Sequence, residues 1–178
     1  MARPTEGWGR HLVLVGMMGS GKTSVGRRAA ERLGRPFLDS DAHVEARTGR
    51  SVREIFESDG EAAFRRLEAE ALDAALDAPD PAVIAAAGGV VLDADNRARL
   101  RGSATVVWLR ADPEVLAARV GSSDHRPLLG DDPERVLQQM DRDRRHLYQD
   151  VADHVIDVGT RSVEEAVETV LEVLEVSE

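Results

Sequence analysis

The chain has 178 residues, no cysteine and a formal net charge of −10, from 23 Lys+Arg against 33 Asp+Glu. This length suits one domain, since domains of about 100–200 residues are common, and such a chain buries about 70% of its unfolded surface without a disulfide or metal staple. The absence of cysteine excludes thiol catalysis, cysteine zinc sites and a disulfide framework, and the acid excess argues against a general nucleic-acid binder.

The only lysine is Lys22, so nearly all positive charge is arginine. The aromatics are Trp8, Phe37, Phe56, Phe64, Trp108 and Tyr148, which leaves the core to Leu, Val, Ile and Ala. No run approaches the roughly 18–20 apolar residues of a membrane span. Met1 to Arg10 lacks a signal-peptide apolar stretch, so a cytoplasmic location and no membrane partner are expected.

Leu12–Val15 reads as a buried strand and runs directly into glycines. Thr23 to Leu33 has helical spacing and stops at Gly34. Pro36–Asp39 is a second, shorter strand. Glu61 to Leu76 is a helix with Phe64, Leu67, Ala71 and Ala75 on one stripe. Val83–Ala87 is a third strand, ending at Gly88-Gly89, and β-branched Thr105–Leu109 is the fourth. Asp112-Pro113 opens a helix as N-cap and first-turn proline. Arg135 to Tyr148 is another helix, His154–Val158 a fifth strand, and Val163 to Leu174 a last amphipathic helix. Strands apolar on both faces, alternating with helices, predict an α/β fold: a doubly wound five-stranded parallel sheet flanked by helices.

Gly16-Met17-Met18-Gly19-Ser20-Gly21-Lys22-Thr23 fits G-x-x-x-x-G-K-[ST], after a strand and before a helix. Glycines let backbone N–H groups curl around phosphate oxygens, and the helix start adds N–H donors and a favourable dipole. Lys22 can reach the outer phosphates and the Thr23 hydroxyl can ligate Mg²⁺. Asp39-Ser40-Asp41 follows the second strand. In extended chain these two carboxylates would point to one side. One could hold Mg²⁺ and the other orient or deprotonate a hydroxyl. A helix cap by Asp41, ahead of Ala42–Glu45, is the competing structural role.

With Phe64-Arg65-Arg66-x-Glu68, Gly88-Gly89, Arg126-Pro127-Leu128-Leu129 and Arg144-x-x-x-Tyr148, in this order, the chain resembles the shikimate kinase family over nearly its whole length. These are small P-loop kinases of the nucleoside monophosphate kinase-like group. The resemblance implies one P-loop kinase domain over 1–178, with a substrate-binding helical segment at about 41–70 and a lid at about 121–133. It implies transfer of phosphate from ATP, with Mg²⁺, to the 3-hydroxyl of shikimate in aromatic amino acid biosynthesis, by a monomer.

The resemblance also assigns residues. Lys22, Asp41 and Arg126 would be catalytic. Gly19, Ser20, Gly21, Lys22, Thr23, Ser24, Arg119, Arg126 and Arg161 would bind the nucleotide. Asp41, Arg65, Gly88, Gly89 and Arg144 would bind shikimate, with Phe56 and Phe64 walling the pocket. Thr23 and Asp39 would hold the metal. Planar guanidinium groups suit a carboxylate ligand. Arg65 and Arg66, neighbours on a helix, cannot both face one pocket; Arg66 is expected in solvent or paired with Glu70.

Ala87 departs from the three glycines common in the family; a methyl there would crowd the backbone if the position required positive φ, and would be harmless at a strand end otherwise. The histidines, His11, His43, His125, His146 and His154, lack metal-ligand spacing and read as surface or capping residues. Two alternatives remain open: a kinase for gluconate or a nucleoside monophosphate on the same scaffold, and a degenerate, non-catalytic nucleotide-binding module.

Overall fold

The computed structural model describes residues 9–121 and 129–176. Trp8, Arg126 and most of the expected lid lie outside the described residues.

Five parallel strands form one sheet in the order β2-β3-β1-β4-β5. They are β1 His11–Val15, β2 Phe37–Asp39, β3 Val83–Ala85, β4 Ala104–Arg110 and β5 His154–Asp157. The central β1 is buried at every position and pairs Leu14 with Ala85 on one side and Val107 on the other. Edge strands β2 and β5 are only partly covered, which explains their weaker apolar signal. Each expected strand is present, with ends shifted by a residue or two.

The expected helices are α1 Lys22–Leu33, α4 Glu61–Leu76, α6 Pro113–Val120, α7 Pro133–Val151 and α8 Val163–Val176. Three more join them: α2 Ser40–Thr48, α3 Val52–Asp59 and α5 Ala94–Ser103. Each of the three starts on a side-chain cap: Asp39 for α2, a reciprocal Ser51/Glu54 capping box for α3, and Asp93 for α5. These signals are written in the sequence, but the apolar stripes are short and the helices hard to see by periodicity. Gly88–Leu92 forms a 3-10 segment after β3.

One hydrophobic core lies on the sheet, and a smaller cluster of Val44, Ile55, Phe64 and Ala71 lies among α2, α3 and α4. That second cluster packs α2, α3 and α4 together, and α2 follows directly on the carboxyl end of β2. His11 departs from its expected surface position. It is buried in β1, where Nδ1 accepts a hydrogen bond from the Ala82 N–H at 3.1 Å.

α1 sits unusually close to the sheet at Gly26. A Cβ there would stand 2.8 Å from Phe37 Cε2 and 3.3 Å from Leu14 Cδ1. Helix propensity favours alanine over glycine by about 1 kcal/mol, whereas overpacking a filled core costs about 1–3 kcal/mol. Gly26→Ala is therefore expected to lower the urea midpoint at unchanged m-value; an equal or higher midpoint would show that Phe37 yields without cost.

Candidate active site

A cavity of about 500 Å³ opens at the carboxyl ends of β1, β2 and β3, where open α/β sheets bind ligands. Its lining joins segments far apart in sequence: Gly19, Gly21–Ser24, Asp39, Asp41, Phe56, Phe64, Arg65, Ala85–Gly89, Arg119 and Arg144 all contribute.

The first wall is the loop from Gly16 to Gly21. Gly16 has φ 147°, and a Cβ on it would stand 2.6 Å from the Leu109 carbonyl, so the loop lies directly on the end of β4. Lys22 Nζ turns back over the loop and donates to the carbonyls of Gly16 at 2.8 Å and Met17 at 3.0 Å. The first helical hydrogen bond runs from Val25 N–H to Gly21 O, and no side chain caps this helix start. The N–H groups of Thr23 and Ser24 thus precede the intrahelical ladder. Ser20 differs from its neighbours: its N–H donates to Met17 O, its side chain is buried, and it does not line the cavity.

Asp39 and Asp41 both reach this cavity, but not by alternation along a strand. β2 ends at Asp39, and Asp41 already stands in the first turn of α2. The cap is Asp39, not Asp41. Its Oδ1 accepts from Ala42 N–H at 3.1 Å, and its Oδ2 accepts from the Thr23 hydroxyl at 2.7 Å. One carboxylate therefore starts a helix and aligns the hydroxyl of another.

The opposite wall carries the arginines. Arg65 on α4 is half-buried, and Arg144 on α7 is buried with 7% exposure. Arg65 Nη1 donates to Glu68 at 2.6 Å and Nη2 to the more exposed Glu61 at 3.3 Å. Phe64 lies under the Arg65 guanidinium at 5.6 Å and meets Phe56 edge to face at 6.3 Å. Arg66 is exposed as expected, but Glu70 pairs with Arg47 rather than with it. A Cβ on Gly89 would fall 1.8 Å from Arg65 Nη1, so only glycine leaves the guanidinium its place. Ala87 has φ −60° in an extended conformation, and its methyl is tolerated without backbone strain.

The two remaining nucleotide-side arginines diverge. Arg119 lines the cavity and straps it, donating to Gly19 O at 3.4 Å and Val158 O at 2.5 Å. Arg161 lies outside the lining and donates to Thr169 at 2.6 Å.

Glu68 and Tyr148 are site residues to which the sequence reading gave no role. Both stand in the quoted motifs, and the i,i+3 spacing of Arg65 and Glu68 is a helical ion-pair signal. Burial lifts the Glu68 carboxyl above the ordinary value of 4.5, against the opposing charge and hydrogen bond of Arg65. For Arg65, burial alone would lower the pKa, but the charges and hydrogen bonds of Glu68 and Glu61 together outweigh it and raise the value. Burial leads at Glu68, whose side chain is 3% exposed against 20% for Arg65, and the charge of Asp41 adds to the rise.

The folded protein holds the Glu68 proton to higher pH than the unfolded chain does. Its contribution to stability is therefore full below 4.5 and declines as pH rises through the raised value. Comparison of the wild type with Glu68→Gln by urea unfolding is expected to show a stability difference that moves against the wild type as pH climbs from about 4 to about 7. A difference moving toward the wild type would mean that the Arg65 pairing outweighs burial.

A family model described as shikimate kinase matches residues 18–175. A shikimate kinase of Symbiobacterium thermophilum is 48% identical over 168 residues, covering 93% of this chain and 96% of that protein. One from Streptomyces coelicolor is 44% identical over 167 residues, covering 94% and 96%. Among solved structures, the shikimate kinase of Acinetobacter baumannii in complex with shikimate superposes with a TM-score of 0.92 at 35% identity, covering 95% of this chain and 94% of that one. The fold, the ordered motifs and these matches agree, and the chain belongs to the shikimate kinase family.

Proposed function

We propose that the protein transfers the γ-phosphoryl group of ATP to the 3-hydroxyl of shikimate, giving shikimate 3-phosphate and ADP. The observation that carries this reading is the junction of two opposed walls in one cavity. A phosphate loop with Lys22 lies on one side, Arg65 and buried Arg144 on the other, and Asp41 also lines the space.

In this reading the backbone of Gly19 and Gly21–Ser24 and the uncapped start of α1 cradle the phosphates, with Ser20 shaping the loop, and Lys22 neutralises charge on the outer ones. Arg144 and Arg65 grip the shikimate carboxylate, and Gly88 and Gly89 let the ring approach the backbone. Asp41 orients the hydroxyl and accepts its proton as the oxygen–phosphorus bond forms and the bond to the ADP oxygen breaks. Arg119 and Arg161 serve the adenine side, and Arg126, outside the described residues, closes from the lid at about 121–133. The chain works as one kinase unit over 1–178, with about 41–70 holding the acceptor.

The Thr23 hydroxyl and Asp39 carboxylate, 2.7 Å apart, are hard oxygen donors that suit Mg²⁺, directly or through water. When bound, the ion would neutralise phosphate charge. Asp39 keeps the Thr23 oxygen aligned whether or not it touches the ion itself.

Coupled ADP release with shikimate, gluconate and CMP as acceptors tests the assignment. Release with shikimate alone is expected; release with another acceptor alone would reassign the substrate, and none with any would favour a binding module. Lys22→Met and Asp41→Asn are each expected to lower kcat by about a hundredfold or more with the fold retained by circular dichroism. Near-full activity of Asp41→Asn would remove its assigned role. Arg144→Ala is expected to raise KM for shikimate at nearly unchanged KM for ATP, and the reverse pattern would move that residue to the nucleotide side.

A further inference from the structure

Tyr148 is 1% exposed and belongs to none of the groups that line the cavity, yet it touches the part of the site where both walls meet. Its hydroxyl donates to the Gly88 carbonyl at 2.6 Å. Its ring stacks on Trp108 of β4, with centroids 5.6 Å apart and planes inclined by 23°. It stands one helical turn after Arg144 on α7, and Arg144, Glu68 and Arg65 all act on its hydroxyl electrostatically. Burial pushes the phenol up to about 12, with Arg144 opposing, so the group remains a donor at working pH.

Gly88 is also the residue against which the phosphate loop rests. A Cβ on it would stand 3.3 Å from Gly16 O and 3.8 Å from the Met17 Cα. The following residue, Gly89, gives the Arg65 guanidinium its space. The tilt of the Gly88 peptide therefore sets the floor between the loop and the arginine wall. Other bonds hold the later part of this segment: Val90 N–H donates to Ala87 O and Asn96 Nδ2 to Val90 O, both at 3.1 Å. The Gly88 carbonyl itself is held by Tyr148.

We infer that Tyr148 is a positioning residue for the acceptor substrate, fixing the Gly88-Gly89 floor through the Gly88 carbonyl and tying it to the helix that carries Arg144. The inference rests on the acceptor reading given above. Loss of the hydroxyl leaves the Gly88 carbonyl without this donor and releases the floor, while the phosphate loop keeps the bonds of Lys22 to the Gly16 and Met17 carbonyls.

The test is Tyr148→Phe, with both substrates varied in steady-state assays; it keeps the ring and its stacking and deletes the hydroxyl, and with it both the donor to Gly88 and the acceptor that Arg144 bonds. KM for shikimate is expected to rise about five- to tenfold, while KM for ATP and kcat each change less than about threefold. A lowered melting temperature with both KM values unchanged would show a purely structural tyrosine and overturn the inference. An equal rise in both KM values would overturn it too. Should that variant fail to fold, Trp108→Phe keeps the hydroxyl and loosens the ring that aims it. A smaller rise confined to shikimate is expected there, and an unchanged shikimate KM overturns the inference. Wild-type enzyme inactive with shikimate would instead refute the acceptor reading itself.

Discussion

The Gly16 carbonyl accepts a hydrogen bond from Lys22 Nζ at 2.8 Å, and Gly88 packs against the same oxygen so tightly that a methyl there would stand 3.3 Å away. On its other side a Cβ on Gly16 would stand 2.6 Å from the Leu109 carbonyl near the end of β4. Three chain segments thus converge on one peptide unit with no space for a side chain. The lysine's position and the height of the glycine floor both depend on that contact. Close-packed interiors transmit small displacements; here the two walls of the cavity are separated by backbone alone.

The arginine wall obeys a different economy of charge. Burying a guanidinium is unfavourable unless a partner accompanies it. Glu68 supplies that partner for Arg65 from the same helix, one turn away. Arg144 is held in the same electrostatic group with Glu68 and Tyr148. The net charge of −10 describes the whole chain; within a screening length of about 8 Å, the local groups decide what the cavity accepts. A surface rich in acid and a cavity rich in cationic side chains are therefore compatible.

The sheet was legible because β1 and β4 are buried on both faces, which forces continuous apolar runs such as Leu12–Val15 and Thr105–Leu109. The phosphate loop was legible because its glycines answer to local backbone geometry. The helices α3 and α5 were not, because they bury few residues and announce themselves only by their caps at Ser51 and Asp93. The Asp39/Asp41 pair reached the right cavity by the wrong geometry: the strand stops at Asp39, two residues earlier than alternation requires. Of the two readings of Ala87, crowding or a harmless methyl at a strand end, the second holds because φ is −60°, a torsion no sequence displays. Tyr148 stayed silent because its role depends on a carbonyl 60 residues away in the chain.

The lone lysine has a consequence for chemistry performed on the protein. Amine-directed reagents meet a single ε-amine in the whole chain, and that amine is Lys22, part-buried against two loop carbonyls. Acylation there would erase the charge and fill the mouth of the phosphate loop in one step. With no cysteine and no second lysine to compete, the rate of modification at Lys22, followed apart from that of the α-amino group, becomes a direct gauge of whether the loop is covered.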